Sequence, residues 1–304
     1  LKLLITIVYL YAGVAKINSD WLIEAMPLKI WLQSKYDLPL IGGNLLQMEW
    51  VHYAMSWGGM LYDLSIPFLL MLNKTRIMAF ILVVFFHVFT LILFPIGMFP
   101  HIMIFSSMVI FSSKFHEKIL YQIRRVITKV GKKVKSKKIK METSNLYVLQ
   151  KQNLTLFTVT SFFILQILLP FRYQLYPGEL FWHEQGYRFS WRVMLIEKIG
   201  YTNFKVKNPN DGTSFMVDSS QHLTPFQLKQ MSFQPDFILE FAHYLGEKYS
   251  TENNKVEVYA DSFVALNGRP SKRFIDPDIN LINEQDSFKD KTWILPLEDE
   301  IKGI

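Results

Sequence analysis

Apolar runs fill most of the first 170 residues, and such a chain has few places to go. About 17 to 20 consecutive apolar residues cross the hydrocarbon core of a bilayer. Five segments approach that length: 1–14, 53–72, 77–94, 96–112 and 154–170. Half of all residues are apolar and the mean hydropathy is positive, at +0.15, a combination few water-soluble domains reach. The expected fold is therefore a multi-pass α-helical membrane domain, residues 1–170, followed by a small soluble β-rich (α+β) domain, residues 171–304. Residue 1 is a leucine already inside an apolar run, so further spans are expected upstream of it.

Charge placement gives the orientation. The net charge is +7, and within 114–140 eleven Lys and Arg residues face a single acid, Glu117. A basic loop, 114–150, beside apolar spans points to the cytoplasmic membrane surface rather than to nucleic acid. Lys2, Lys74 and Arg76 fall on the same side in one consistent topology. The 15–52 segment, the Phe94–His101 turn and everything after Pro170 are then non-cytoplasmic, periplasmic or lumenal. Segment 15–52 mixes charges with Trp21, Trp31 and Trp50, which reads as helices lying at head-group level. The absence of cysteine rules out thiolate nucleophiles, disulfides and cysteine-ligated metals. Histidines at metal-ligand spacing beside a carboxylate do not occur, so no metal site is expected.

After residue 171 the pattern becomes short and alternating. Phe204–Lys207, the turn Asn208-Pro209-Asn210-Asp211-Gly212, and Thr213–Val217 predict a β-hairpin. Val256–Leu266 followed by Asn267-Gly268 begins a second. Gln234-Pro235 opens a helix with Phe237, Ile238, Phe241, Tyr244 and Leu245 on one face, running to Gly246.

Two ionisable residues sit at membrane depth, where desolvation is costly and a function is the first hypothesis. Lys16 follows the apolar helix end Tyr9–Ala15. A lysine in a low-dielectric pocket gives up its proton more readily and can serve as a base; alternatively it snorkels to the interface or pairs with Asp20 one turn on. His87, in Phe85-Phe86-His87-Val88-Phe89, could bond a polar ligand or shuttle a proton. The alternative is a histidine satisfied by a neighbouring helix.

These residues lie in stretches that resemble a known family. Tyr11-Ala12-Gly13-Val14-Ala15-Lys16-Ile17-Asn18-Ser19-Asp20-Trp21-Leu22 is similar to the AGxxKxxxDW stretch of the vitamin K-dependent gamma-glutamyl carboxylases. His87-Val88-Phe89 with Leu93-Phe94-Pro95-Ile96-Gly97-Met98-Phe99 resembles that family's LFxIGMF helix. The soluble part contributes Gln185–Met194, Arg273-Phe274-Ile275-Asp276-Pro277 and Thr292-Trp293-Ile294-Leu295-Pro296-Leu297. A bacterial-type homologue carrying an HTTM membrane domain is the form indicated, since the chain ends soon after the last of these motifs.

The resemblance implies a membrane lyase. In the family a lysine, here Lys16, deprotonates vitamin K hydroquinone, a reduced phylloquinone or menaquinone. Oxygen then adds, the quinone leaves as its 2,3-epoxide, and the strong base formed on the way takes the γ-proton of a substrate glutamate. The carbanion captures carbon dioxide to give γ-carboxyglutamate. His87 would share the catalytic pocket and contact the cofactor with Met98, while Tyr187, Trp191 and Arg192 would bind the substrate chain or pack the domain. Where animal members have a second lysine before the catalytic one, this chain has Ala15. The partners implied are the lipid bilayer and a glutamate-containing protein or peptide. Two other readings stand beside this one: quinol epoxidation without carboxylation, and a non-catalytic protein binding a quinone or lipid.

Overall fold

The computed structural model describes residues 1–39, 43–129 and 151–303. In chain order the helices are α1 (Lys2–Val14), α2 (Ser19–Leu22), α3 (Leu28–Gln33), α4 (Asn44–Gln47), α5 (Glu49–Met71), α6 (Arg76–Leu93), α7 (Phe99–Ser107), α8 (Ser113–Lys129), α9 (Gln152–Leu168), α10 (Leu180–His183), α11 (Pro225–Met231) and α12 (Pro235–Tyr249). The strands are β1 (Lys198–Lys207), β2 (Ser214–Val217), β3 (Glu257–Leu266) and β4 (Lys272–Arg273). The chain packs as two compact units that interleave in sequence. One holds Leu1–Leu10 and Asp63–Leu168, the other Tyr11–Tyr62 and Leu169–Ile304.

Among the described residues, two helices are long and apolar enough to cross a membrane, Arg76–Leu93 and the stretch Gln152–Leu175. They correspond to the expected spans 77–94 and 154–170. The other three expected segments also lie on helices, of differing form. Helix α1 covers Lys2–Val14, essentially the whole of the expected segment 1–14. The expected span 96–112 becomes nine residues of α7 and a three-residue 3-10 turn, because Pro95 and Gly97, at φ +59°, delay the start of the helix. Helix α5 is 23 residues long but carries Glu49, His52 and Asp63 along it.

In the first unit α6 buries Ala79, Val83, His87, Thr90 and Leu93, a stripe at helical spacing. Its other face is also apolar yet exposed, with Ile77, Met78, Ile81 and Phe85 all more than half accessible. Helix α9 buries none of its 17 residues although ten of them are apolar. Surfaces of this kind are stable against hydrocarbon, not water. Helix α8 begins the basic stretch with Lys114, Lys118, Arg124 and Arg125; positions 130–150 lie outside the described residues.

The second unit is built on an antiparallel sheet of order β2-β1-β3-β4. The first predicted hairpin is present, pairing Phe204 with Val217 through Lys207 with Ser214. The second pairs Phe263 with Arg273 and Val264 with Lys272. Burial alternates along the whole of β3, so Val258, Ala260, Ser262, Val264 and Leu266 face inward. Helix α12 covers that face, with Phe241 edge-on to Phe204 at 5.1 Å.

Segment 15–52 departs from the interfacial reading. Trp21 is buried, its indole donating to the Ser56 carbonyl at 2.8 Å while Ser56 Oγ donates back to the Trp21 carbonyl. The Trp31 indole donates to the Glu197 carboxylate beside the sheet. Of the three tryptophans only Trp21 is buried; Trp31 is half-buried and Trp50 is exposed.

Candidate functional site

Lys16 sits where the backbone changes direction. Helix α1 ends at Val14, and the amides of Lys16 and Ile17 bond back to Gly13 and Val14 as a tight turn. Asn18 then caps α2. Its side chain accepts from the Trp21 amide at 2.9 Å and donates to the Ala15 carbonyl at 2.8 Å, spanning the bend. Its preference for that cap position is the ordinary one for asparagine. The Lys16 side chain is buried, at 7% exposure. Its Nζ donates to the Ala12 carbonyl at 3.1 Å and stands 5.3 Å from the centre of the Trp21 ring.

Asp20 is committed elsewhere. The Arg269 guanidinium grips both its oxygens at 2.7 Å, and Asn267 Nδ2 adds a third bond at 2.8 Å. The expected alternative of a Lys16 to Asp20 pair along one helix turn is not what the fold adopts.

His87 is buried within its own unit, at 3% exposure. Its Nε2 and the Tyr9 hydroxyl share a hydrogen bond of 3.0 Å, and the Phe86 and Phe99 rings stand edge-on at 5.4 and 6.3 Å. The result is a polar pair in aromatic surroundings. Tyr9 was not singled out in the sequence. The signal was present, because a tyrosine inside an apolar helix needs a partner for its hydroxyl. Met98, by contrast, is three-quarters exposed at the start of α7.

The three remaining candidates lie in one irregular segment. Glu184, Phe189, Trp191 and Met194 all have positive φ, near +60°, a conformation that costs non-glycine residues of order 1 kcal/mol or more each. The Tyr187 hydroxyl donates to the Arg192 carbonyl at 2.8 Å, and burial pushes its ionisation well above the usual phenol range. Arg192 stacks 4.5 Å above the Tyr173 ring, and burial lowers its affinity for the proton. The Trp191 indole N–H is buried with no hydrogen-bond acceptor among the described residues. Beside the segment opens a cavity of about 450 Å³ whose walls include Asn18, Tyr173, Glu179, Arg192 and Glu300. Burial raises the Glu179 carboxyl, partly offset by the Phe181 and Ile301 amides that donate to it.

Two other motifs prove to be core. Phe274 and Trp293 are almost wholly buried, their strands joined by Asp276 N to Trp293 O and Leu295 N to Phe274 O. Trp182 packs edge-on against Phe274 at 4.9 Å.

The chain combines helices with exposed apolar faces and an antiparallel sheet unit that carries a strained loop. Residues 1–115 match the family model of the HTTM domain, and residues 151–300 match that of the vitamin K-dependent gamma-carboxylase lumenal domain. The chain belongs to the vitamin K-dependent gamma-carboxylase family. No solved structure matches it.

Proposed function

We propose that the protein carboxylates glutamate side chains of a peptide or protein at the γ-carbon, using vitamin K hydroquinone. The observation that carries this reading is the burial of the Lys16 amine between the Ala12 carbonyl and the Trp21 face. Membership of the carboxylase family supports it.

The chemistry sets the requirement. A carbon acid beside a carboxylate is far too weak for any side-chain base at neutral pH. The hydroquinone, oxidised by oxygen to its 2,3-epoxide, supplies the stronger base when bound. Each unit by itself holds groups that suit hydroxyls on an apolar ring: a buried amine in one, a hydroxyl–imidazole pair among aromatic rings in the other. Lys16 receives a hydroxyl proton at Nζ. Within its own unit the Tyr9–His87 pair, flanked by Phe86 and Phe99, offers hydrogen bonds to a polar group in surroundings that exclude water. Trp191 and Arg192 offer an unengaged N–H donor and a positive charge to the incoming glutamate carboxylate. Met98, exposed in the fold, meets only the lipid-like part of the ligand.

The same reading makes residues 1–170 a multi-pass membrane domain and residues 171–304 a domain on the periplasmic or lumenal side. The exposed apolar faces of α6 and α9 support the membrane, and the match to a lumenal-domain family supports the side.

The test uses the full chain in lipid nanodiscs with vitamin K hydroquinone, oxygen, labelled bicarbonate and a glutamate-containing peptide. Label is fixed in the peptide, and Lys16→Ala lowers the rate by about a hundredfold to ten-thousandfold, the usual span for loss of a general base. Quinone epoxide without fixed label moves the assignment to an epoxidase. Neither product, across varied peptides, overturns the reading.

A further inference from the structure

The sequence motif that contains Lys16 also contains an aspartate four residues on, and the proposed chemistry leaves that aspartate unused. Asp20 is buried, at 2% exposure, and its carboxylate is held by three bonds from the loop between β3 and β4. Arg269 Nη1 and Nη2 each donate to one oxygen at 2.7 Å, and Asn267 Nδ2 donates at 2.8 Å. Arg269 is fixed in turn, because its Nε donates to Asp299 at 2.6 Å. Asn267, at φ +47°, donates also to the Leu195 carbonyl and accepts from the Glu197 amide at 2.8 Å. The grip is bidentate and planar, the geometry that only arginine offers a carboxylate.

A second contact lies between Lys16 and Asp20. Residues 17–19 pair with the strand-like stretch 301–303. Asn18 and Gly303 form an antiparallel bridge, the Ser19 amide donates to the Lys302 carbonyl at 2.7 Å, and the Lys302 amide donates to Ser19 Oγ at 3.0 Å. A Cβ on Gly303 would lie 2.4 Å from the Ile17 carbonyl oxygen. The bend is therefore gripped at Asp20 by the sheet's own hairpin and flanked along 17–19 by a close backbone contact.

We propose that the Arg269 to Asp20 ion pair is a positioning device for the Lys16 amine. Arg269 touches no reacting atom in this scheme. It fixes Asp20, hence α2 and its Asn18 cap, hence the turn from which Lys16 reaches the Ala12 carbonyl and the Trp21 face. This rests on Lys16 being the base, as proposed above, but its test has an arm that does not.

That arm is pulse acetylation of the full chain in nanodiscs with acetic anhydride, each lysine being resolved by mass spectrometry. Wild-type Lys16 is protected relative to Lys272, which is 40% exposed. Arg269→Ala raises Lys16 acetylation at least tenfold, and Arg269→Lys, which keeps the charge but loses the fork, gives an intermediate value. Arg273→Ala, which breaks an exposed pair with Asp261 on the neighbouring strand, leaves Lys16 protected. In the activity arm, Arg269→Lys lowers kcat for quinol oxygenation about tenfold to a hundredfold while KM for the quinol stays within twofold, as misplacement of a catalytic group requires. Unchanged Lys16 protection in both Arg269 variants overturns the proposal. So does a parallel rise at every buried lysine, which marks general loosening, and so does wild-type Lys16 reacting as fast as Lys272. If the labelling changes as stated but the wild type has no activity, the carboxylase reading fails and the clamp stands.

Discussion

The Tyr9 hydroxyl and His87 Nε2 are 3.0 Å apart although 78 residues separate them in sequence. One comes from α1 and the other from the buried stripe of α6, so the bond measures how those two helices are held in register. A buried hydrogen bond of this kind contributes about 1 kcal/mol net, and more is lost when one partner alone is removed.

Tyr9→Phe and His87→Phe should each destabilise the protein by about 1–3 kcal/mol. The double variant should cost less than their sum, with a coupling of about 1 kcal/mol. Thermal unfolding of the four proteins in nanodiscs measures this. Additive effects would mean that the two side chains do not act on each other.

Lys198 and Glu184 make a sharper case. Lys198 is fully enclosed, its Nζ donating to the Glu184 carboxylate at 2.7 Å and to the Trp182 carbonyl at 2.6 Å, and burial lowers its affinity for the proton. Lys198→Met leaves the Glu184 carboxylate without its cation and should cost about 3 kcal/mol. Adding Glu184→Leu should recover most of that, since an apolar pair of similar volume avoids both desolvation penalties. Denaturant midpoints of the single and double variants decide it. A double variant weaker than either single one rules the account out.

His183 gives a pH dependence. It is buried, its Nδ1 accepts from the Gln185 amide at 2.9 Å, and burial lowers its pKa to about 4. The folded pKa is below the unfolded value of about 6.5, so the unfolded chain takes up the proton first. Its contribution to stability is complete above about pH 6.5, declines as the pH falls from there, and is exhausted near 4. The loss reaches about 3 kcal/mol at the bottom of that window. Unfolding temperatures between pH 7 and 4 should fall steeply in the wild type and more gently in His183→Leu. Parallel curves would remove His183 as the cause.

Gly186 has φ +82°, and a Cβ there would stand 2.6 Å from the Tyr173 backbone nitrogen and Cα. Backbone cannot retreat as a flexible side chain does. Gly186→Ala should cost about 2 kcal/mol and lift the 184–194 segment away from Tyr173, loosening the Arg192 stack. The readout is a red shift in tryptophan emission that disappears in Gly186→Ala/Trp191→Phe. An unshifted spectrum counts against the close approach.

Much of this architecture can be read before any coordinates. The apolar runs, the hairpin around Asn208–Gly212 and the helix opening at Pro235 are local patterns, in which each residue's neighbours along the chain carry the signal. Lys16 and His87 stood out for the same reason, as ionisable groups in apolar company, and the family motifs around them are contiguous. Segment 96–112 reads longer than the helix that forms, because a sliding run of apolar residues does not register where Pro95 and Gly97 delay it.

What the sequence by itself determined was the type and order of the elements, the family, and the residues worth testing. What only the tertiary structure decided was partnership: Asp20 with Arg269 across 249 residues, Tyr9 with His87, Trp21 with Ser56, and the grouping of 11–62 with the C-terminal sheet. The physical reason is that periodicity and turn chemistry act over a few residues, whereas an ion pair or a buried hydroxyl takes whichever partner the packed chain brings within 3 Å or so. No spacing rule in one sequence encodes that choice.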